Sequence, residues 1–366
     1  MTGKAAVFTE VNQPFQFREY PLPDVAPDAM LIRVTMANIC GSDLHFVRGG
    51  GPGLKGGTPR ILGHEMVGVI ERLGRAVKSD TLGQPLREGD RVCYAYYLPC
   101  GACPACWHGV PGCPNRYRYW LETSCEDPPH FHGAYGEFYY LRPGQWVYRL
   151  PDTLQDRVVS PVNCALAQMV YGLHRVGVTL GDAVAIQGAG GLGLYACAIA
   201  REMGAGTILV LDLLPDRLEL AKSFGADFTL NVTGLTGQER AAAIRERTGG
   251  HGADLVVEVS GSPAVLEEGI AMARVGGRIL WIGNINLGRT GTVDPGQVVR
   301  GSRTIVGLVV YESWVIPRAL GLLQRAASRY PFDRIISHTF PLSAINEAFA
   351  VAAERKALRV SLLPGG

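Results

Sequence analysis

No run in this 366-residue sequence reaches the ~18 apolar residues that a membrane-spanning helix requires. One of the longest, ILVLDLL at 208–214, carries an Asp and has only strand length. An excess of either charge is also missing. The net charge is +2, which excludes a surface built to hold nucleic acid, since that needs clustered Lys and Arg. The N-terminal MTGKAAVFTEVNQPF lacks the apolar core of a secretory signal, so a cytoplasmic protein is expected. There are no internal repeats and no low-complexity segments. Charged residues are only 19% and hydrophobic ones 47%, too apolar for disorder and enough for two domains with separate cores. An even, dispersed cysteine set is absent too. The nine cysteines are odd in number and clustered, which speaks against a disulfide framework and for metal ligation in a reducing compartment.

Three zones follow one another. Residues 1–165 are rich in Gly and Pro that punctuate short β-type runs, MLIRVTMANI, MVGVIERLG, DRVCYAYYL and GEFYYLRPG, the pattern of an irregular mostly-β domain. Residues 166–311 alternate apolar strand-like runs with helix-like ones: AVAIQG, LGLYACAIAREMG, TILVLD, DRLELAKSFGA, ADLVVEVSG and RILWIG. That alternation predicts a parallel sheet covered on both faces. Residues 312–366 hold two helix candidates, WVIPRALGLLQRAASRY and SAINEAFAVAAERKA, then the strand-like LRVSLLP. Ser343 is the expected N-cap of the second helix, with Glu347 near its first turn.

QGAGGLG, residues 187–193, carries Gly188-x-Gly190-x-x-Gly193, with Gly191 and Leu192 between the last two glycines. The motif alone is weak in a chain with 47 glycines. Its context is stronger: it follows an apolar run and opens a helix candidate, as a dinucleotide-binding βαβ unit demands. Gly188 would permit the turn, Gly190 the approach of a pyrophosphate, and Gly193 close packing of helix on strand, with helix N–H groups facing the phosphates. The next strand ends at Asp212, whose carboxylate suits both adenosine ribose hydroxyls and repels a 2′-phosphate. NAD is therefore expected over NADP, with Arg217 near enough to soften that choice.

CGACPACWHGVPGC places Cys100, Cys103, Cys106 and Cys113 at C-x2-C-x2-C-x6-C spacing. One loop can wrap them around a single tetrahedral ion, and zinc suits four thiolates. With every position taken by sulfur, such a site is structural. Free thiols or an iron–sulfur cluster are the alternatives that spacing leaves. Cys40, His64, Glu65 and Cys164 are scattered. Taken singly, the cysteines read as buried hydrophobes and His64 as a satisfied core histidine. Spacing alone does not bring them together.

ICGSD, GHE-x-x-G (Gly63 to Gly68), EGDRV (88–92), the four-cysteine loop, GAGGLG and the terminal LRVSLLP occur in that order. The chain resembles the zinc-containing alcohol dehydrogenases of the medium-chain dehydrogenase/reductase family over nearly its whole length. The resemblance implies an α/β protein with a GroES-like mostly-β catalytic domain, 1–165 and 312–366, split around a Rossmann NAD-binding domain, 166–311. It implies two zinc ions per chain, one catalytic and one structural. Cys40, His64 and Cys164 match the catalytic ligands, and Glu65 matches an acidic neighbour that approaches or ligates the metal. Ser42 and His45 match a proton relay, Asp43 the carboxylate that orients the zinc-bound histidine, and Arg359 a cation for the cofactor pyrophosphate. Without the resemblance, SDLH reads as a helical turn with a cap and a surface histidine. Two departures stand out. The structural loop has six residues before its last cysteine where relatives commonly have seven, and the 114–135 stretch is longer than in many relatives.

The expected chemistry is hydride transfer between an alcohol and NAD, giving a ketone or aldehyde. Tyr94, Tyr96, Tyr97, Tyr117, Tyr119, Trp120, Phe131 and Tyr135 crowd the catalytic half. They read partly as core and partly as an apolar pocket roofed by the 114–135 stretch, for a bulky or cyclic secondary alcohol. His130 and His132 in PPHFH read as an exposed loop, with a third metal pair as the alternative, and Cys93, Cys125 and Cys197 have no evident metal role. The alternatives are an NADPH-dependent quinone or enone reductase of the same fold, without catalytic zinc, and a non-catalytic binding protein. A homodimer or homotetramer is expected from the resemblance, with LGRTGTVD and IVGLVVY in the region where relatives pair.

Overall fold

The computed structural model describes residues 1–50, 57–285, 287–354 and 356–365. They form two compact units. The first comprises 1–164, 316–327 and 332–366, and the second 165–315 and 328–331.

The first unit is built on the long strand Met30–Ile39, whose burial pattern leaves only Arg33 exposed. It pairs antiparallel with Glu65–Leu73, with Phe138–Leu141 and with Val360–Leu363. Arg91–Tyr94 and Val147–Arg149 extend the sheet on one side and His338–Pro341 on the other. A smaller sheet joins Gln16–Pro21, Thr2–Phe8 and Arg60–Ile61.

Register decides what these strands deliver. Asn38 lies opposite Glu65, and Ile39 opposite Val360. Antiparallel pairing thus sets the end of one strand beside the start of the second and the third. Cys40, the His64–Glu65 pair and Arg359 arrive at the same sheet edge, although they are far apart in sequence. The buried Asn38 fastens this edge, since its Oδ1 accepts from Ser361 Oγ and from Ser160 Oγ.

The second unit is a six-stranded parallel sheet in the order 228–231, 207–212, 183–187, 253–258, 273–281, 304–307. Its strands are nearly continuous apolar runs because helices cover both faces. Chain order reverses at Ala183–Gln187, whose neighbours are Thr207–Asp212 and Ala253–Glu258. Ligands of open α/β sheets bind at such a switch point.

Two sequence expectations change. Ser343 does not cap the last helix. A 3₁₀ turn, Leu342–Ala344, runs straight into Ile345–Ala353, so Ser343 lies inside the turn and Ala344 takes the cap position. PPHFH is not an exposed loop. His130 and His132 are both buried: His130 stacks on Tyr20, its Nδ1 within 2.9 Å of Cys125 O, while His132 Nδ1 lies 3.2 Å from Arg142 Nη2.

Candidate active site

The four loop cysteines converge. Their Sγ–Sγ separations include 3.5, 3.6, 3.7 and 4.0 Å. A tetrahedral zinc with Zn–S of about 2.3 Å has edges of about 3.8 Å, so the residues fit one ion. A multi-iron cluster, with each thiolate on its own iron, holds its sulfurs farther apart. A short helix, Pro104–Trp107, starts directly after Cys103, with Pro at its first position, and carries Cys106. Burial raises the Cys113 pKa, but the Cys100 backbone N–H and the neighbouring thiols outweigh it and bring the thiol down to about 7.

The scattered set also converges. Ligand atoms of Cys40, His64, Glu65 and Cys164 all lie within 4.8 Å of one another, and the two sulfurs are 4.0 Å apart. These are the two groups of three or more potential metal ligands found among the described residues. Cys40 precedes the short helix Gly41–Val47, and Cys164 sits on a π-helical turn, Val162–Leu166. Such turns are rare and recur at functional sites because they re-aim one side chain. Cys93, Cys125 and Cys197 are buried outside both groups.

Behind these atoms stands a buried carboxylate. Asp43 accepts from the Cys40 backbone N–H at 2.9 Å and from the Tyr135 hydroxyl at 2.8 Å, and its Oδ1 lies 3.4 Å from His64 Nδ1. That directs the other His64 nitrogen to serve as a metal ligand. Burial by itself would lower the His64 pKa, but Asp43 and Cys40 outweigh it and hold the imidazole well above its ordinary value. Cys164 hydrogen-bonds to the Cys40 sulfur, which holds Cys40 well below and Cys164 well above the usual thiol range. Burial pushes Glu65 up to about 7 against the pull of Arg359. Arg359 Nη1 contacts Glu65 Oε2, while Oε1 has no hydrogen-bond partner among the described residues. Two cysteine sulfurs, an imidazole and an orphaned carboxylate oxygen form a donor set suited to zinc. Arg359 is thus buried against Glu65.

Asn163 carried no sequence signal, and the sequence offered Tyr96, Trp120 and Tyr135 only among the aromatics of core or pocket. Asn163, beside Cys164, donates to the carbonyls of His64 and Tyr94, each at 3.0 Å, and so ties the π-helical turn to the His64 strand. Tyr135 reads from sequence as one aromatic among many, yet it anchors Asp43. Trp120 stacks on His64 with ring centroids 4.6 Å apart, and Tyr96 tilts against the same imidazole at 4.7 Å. Of the remaining aromatics, Phe131 packs on Tyr20 and Phe138, and Tyr117 and Tyr119 stack on each other. Ser42 and His45 are half-buried, three residues apart on one helix and so on one face. Gly50 makes room for that imidazole, since a Cβ there would lie 1.9 Å from His45 Cε1.

In the second unit, Gly188 has φ 111° and begins the turn after Ala183–Gln187. A Cβ on Gly193 would fall 1.9 Å from Gly188 O, so only glycine fits there. A Cβ on Gly190 would meet only Arg217 Nη1, at 3.8 Å, which leaves this backbone open and sets a guanidinium over it. Gly191 opens the helix that runs to Glu202, with Leu192 in its first turn. Asp212 accepts from the Ala189 N–H at 2.7 Å and the Leu214 N–H at 2.9 Å, one bond to each oxygen. Each oxygen keeps acceptor capacity for a hydroxyl.

Residues 26–152 match the alcohol dehydrogenase GroES-like domain, and residues 191–325 match the zinc-binding dehydrogenase family. The 5-exo-hydroxycamphor dehydrogenase of Pseudomonas putida is 34% identical over 347 residues, 94% of each chain. The chain belongs to the zinc-binding alcohol dehydrogenases. The sorbitol dehydrogenase of Bacillus subtilis (strain 168) is 33% identical over 284 residues, 76% of this chain and 74% of its own. A crystal structure of an alcohol dehydrogenase from Thermotoga maritima superposes with a TM-score of 0.93 at 30% identity, covering 99% of both chains. Zinc and a nicotinamide dinucleotide are the family's cofactors. No helix among the described residues is long and apolar enough to cross a membrane.

Proposed function

We propose that the protein oxidises a bulky or cyclic secondary alcohol to its ketone, and reduces the ketone in reverse, with NAD as the hydride partner and two zinc ions per chain. The observation that carries this reading is the convergence of Cys40, His64, Glu65 and Cys164 on one point, with Asp43 behind His64. Zinc held by Cys40, His64 and Cys164 supplies a Lewis acid that makes the alcohol easier to deprotonate. Cys100, Cys103, Cys106 and Cys113 hold the structural ion. Asp43 fixes the His64 ring and its tautomer, and Tyr135 fixes Asp43. Glu65 lends a carboxylate oxygen to the metal site while Arg359 balances its charge. Ser42 takes the alcohol proton, and His45, one turn along the helix, releases it to water.

Gly188, Gly190 and Gly193 seat the pyrophosphate. Asp212 receives the adenosine ribose hydroxyls, so NAD is favoured over NADP, with Arg217 beside them. Nine free thiols support a reducing, cytoplasmic setting. Thr304–Gly307 ends the sheet order, and Val309, two residues beyond it, is exposed, which supports pairing of subunits through that edge. The relatives named above act on a hydroxylated camphor and on sorbitol, and both substrates bear oxygen beyond the reacting hydroxyl.

The test is reduction of NAD and of NADP, followed by absorbance, with matched linear primary, linear secondary and cyclic secondary alcohols, beside a zinc assay. A preference for cyclic secondary alcohols and NAD at two zinc ions per chain supports the reading. Best turnover with small primary alcohols would remove the bulky substrate and leave the zinc chemistry. Turnover with NADP alone would overturn the role given to Asp212.

A further inference from the structure

The third sulfur of the dispersed cluster lacks the support that the other ligands have. Cys40 directly follows the strand Met30–Ile39, and His64 directly precedes Glu65–Leu73, so sheet register fixes both. Cys164 adjoins no strand. It sits on the turn Val162–Leu166 and is the last residue of the first unit, where the chain passes into the second. Its place therefore depends on side-chain contacts rather than on a ladder of backbone hydrogen bonds.

Asn163 makes those contacts. Its side chain is 0% exposed, and its Nδ2 donates one hydrogen to the His64 carbonyl and the other to the Tyr94 carbonyl, each at 3.0 Å. The strands Glu65–Leu73 and Arg91–Tyr94 pair at Gly68–Val92 and Val69–Arg91. The His64 and Tyr94 carbonyls lie beyond those pairs, and the amide bridges the two chains there. An amide in a dry interior is costly unless it is bonded, and Leu would fill nearly the same volume without that penalty. The bonds, not the bulk, account for an Asn at this position. Cys164 and His64 are thus joined through one peptide bond and one hydrogen bond.

We propose that Asn163 is a positioning residue for the catalytic metal: its amide sets the Cys164 sulfur against the His64 imidazole, and so governs the geometry and strength of ligation there. It touches neither the substrate nor the reacting atoms. The inference rests on the catalytic-zinc reading above and adds a residue to it. The four-sulfur loop, built from its own stretch of chain, is the internal reference.

The experiment loads the full chain with zinc in the four-sulfur loop and Co2+ in the dispersed site, and records the visible absorption of Co2+, which reports its ligation geometry. A graded chelator series then ranks the affinity of each site. Asn163→Leu should shift the Co2+ bands and weaken the dispersed site about 10–100-fold, with the four-sulfur site unchanged. Asn163→Ser, which keeps one shorter donor, should fall between Asn163→Leu and the wild type. Tyr94→Phe removes the 3.4 Å contact of the Tyr94 hydroxyl with the same His64 carbonyl but leaves the turn tied, and should keep the wild-type bands. Unchanged bands and affinity in Asn163→Leu overturn the proposal. So does equal weakening of both sites, which marks a general structural role. If neither Asn163 variant folds, a role confined to the metal is overturned as well. A wild type that takes up one ion only, in the four-sulfur loop, would instead overturn the catalytic-zinc reading and take this inference with it.

Discussion

The two cysteine clusters are made in different ways. Cys100, Cys103, Cys106 and Cys113 come from one loop, and their sulfurs sit at the edge lengths of a single tetrahedron. Cys40, His64 and Cys164 come from a strand end, a strand start and a π-helical turn, with Glu65, Asp43, Tyr135, Asn163 and Arg359 packed around them. A closed site needs only ligands that can reach the ion. An open one must hold its ligands in place while one coordination position changes occupant, and that rigidity comes from buried supporting groups. The machinery behind Cys40 and His64 is what an exchangeable position demands.

The largest effect expected from breaking this contrast is at Cys40. Cys40→Ala should remove one zinc of two and lower alcohol oxidation by roughly 10³-fold or more, with thermal unfolding little changed. Cys103→Ala should also remove one zinc but act chiefly on stability, because ligand binding energy in such loops is folding energy. Metal analysis beside a melting curve separates the two. If both variants lose activity and stability alike, the division into a working and a bracing ion fails.

Asp43→Asn tests the support. It should weaken the catalytic zinc by about 10–100-fold and leave the four-sulfur site unaffected, as read by competition with a graded chelator series. Equal loss from both sites would show general unfolding.

His45→Ala probes the proton exit from the open site. Turnover should fall about tenfold near neutral pH and much less at high pH, where hydroxide replaces the imidazole. A parallel drop across the whole pH profile would remove His45 from the relay.

The smallest effect separates burial from metal binding. His132 is buried like His64, but burial together with the Arg142 and His130 charges brings its pKa down to about 4. The folded value lies below the unfolded value of about 6.5, so the unfolded chain takes up the proton first. The associated stability is complete above the unfolded pKa and is lost as pH falls towards the folded one, at most about 3 kcal/mol. Urea midpoints of His132→Gln between those values should decline less steeply than the wild type's. Matching slopes would mean that this imidazole does not drive acid destabilisation.

Local features were legible in the sequence. The four-cysteine loop and the glycine turn each lie within a few residues of chain, and the apolar runs marked both sheets. The scattered ligands were not readable from spacing, because strand register sets their meeting, and only the ordered family motifs pointed to them. Asn163 escaped notice, and Tyr135 was read only as a core or pocket aromatic, because their partners, the His64 carbonyl and Asp43, lie 99 and 92 positions away. Ser343 misled because a 3₁₀ turn placed the helix start one residue later. PPHFH looked polar and open, yet Tyr20 and Arg142 supply partners that bury both imidazoles.

The strand pairing that sets Asn38 against Glu65 and Ile39 against Val360 also acts as a proofreading device. A slip of one residue would turn the alternating side chains to opposite faces of the sheet. Glu65 would then leave Arg359, and His64 would leave Cys40. A misassembled molecule of this kind retains its four-sulfur loop but has no second place for an ion. On the two-zinc reading proposed above, counting zinc in a preparation would count correctly registered molecules: two per chain for the native pairing, and one for chains that folded to the wrong frame.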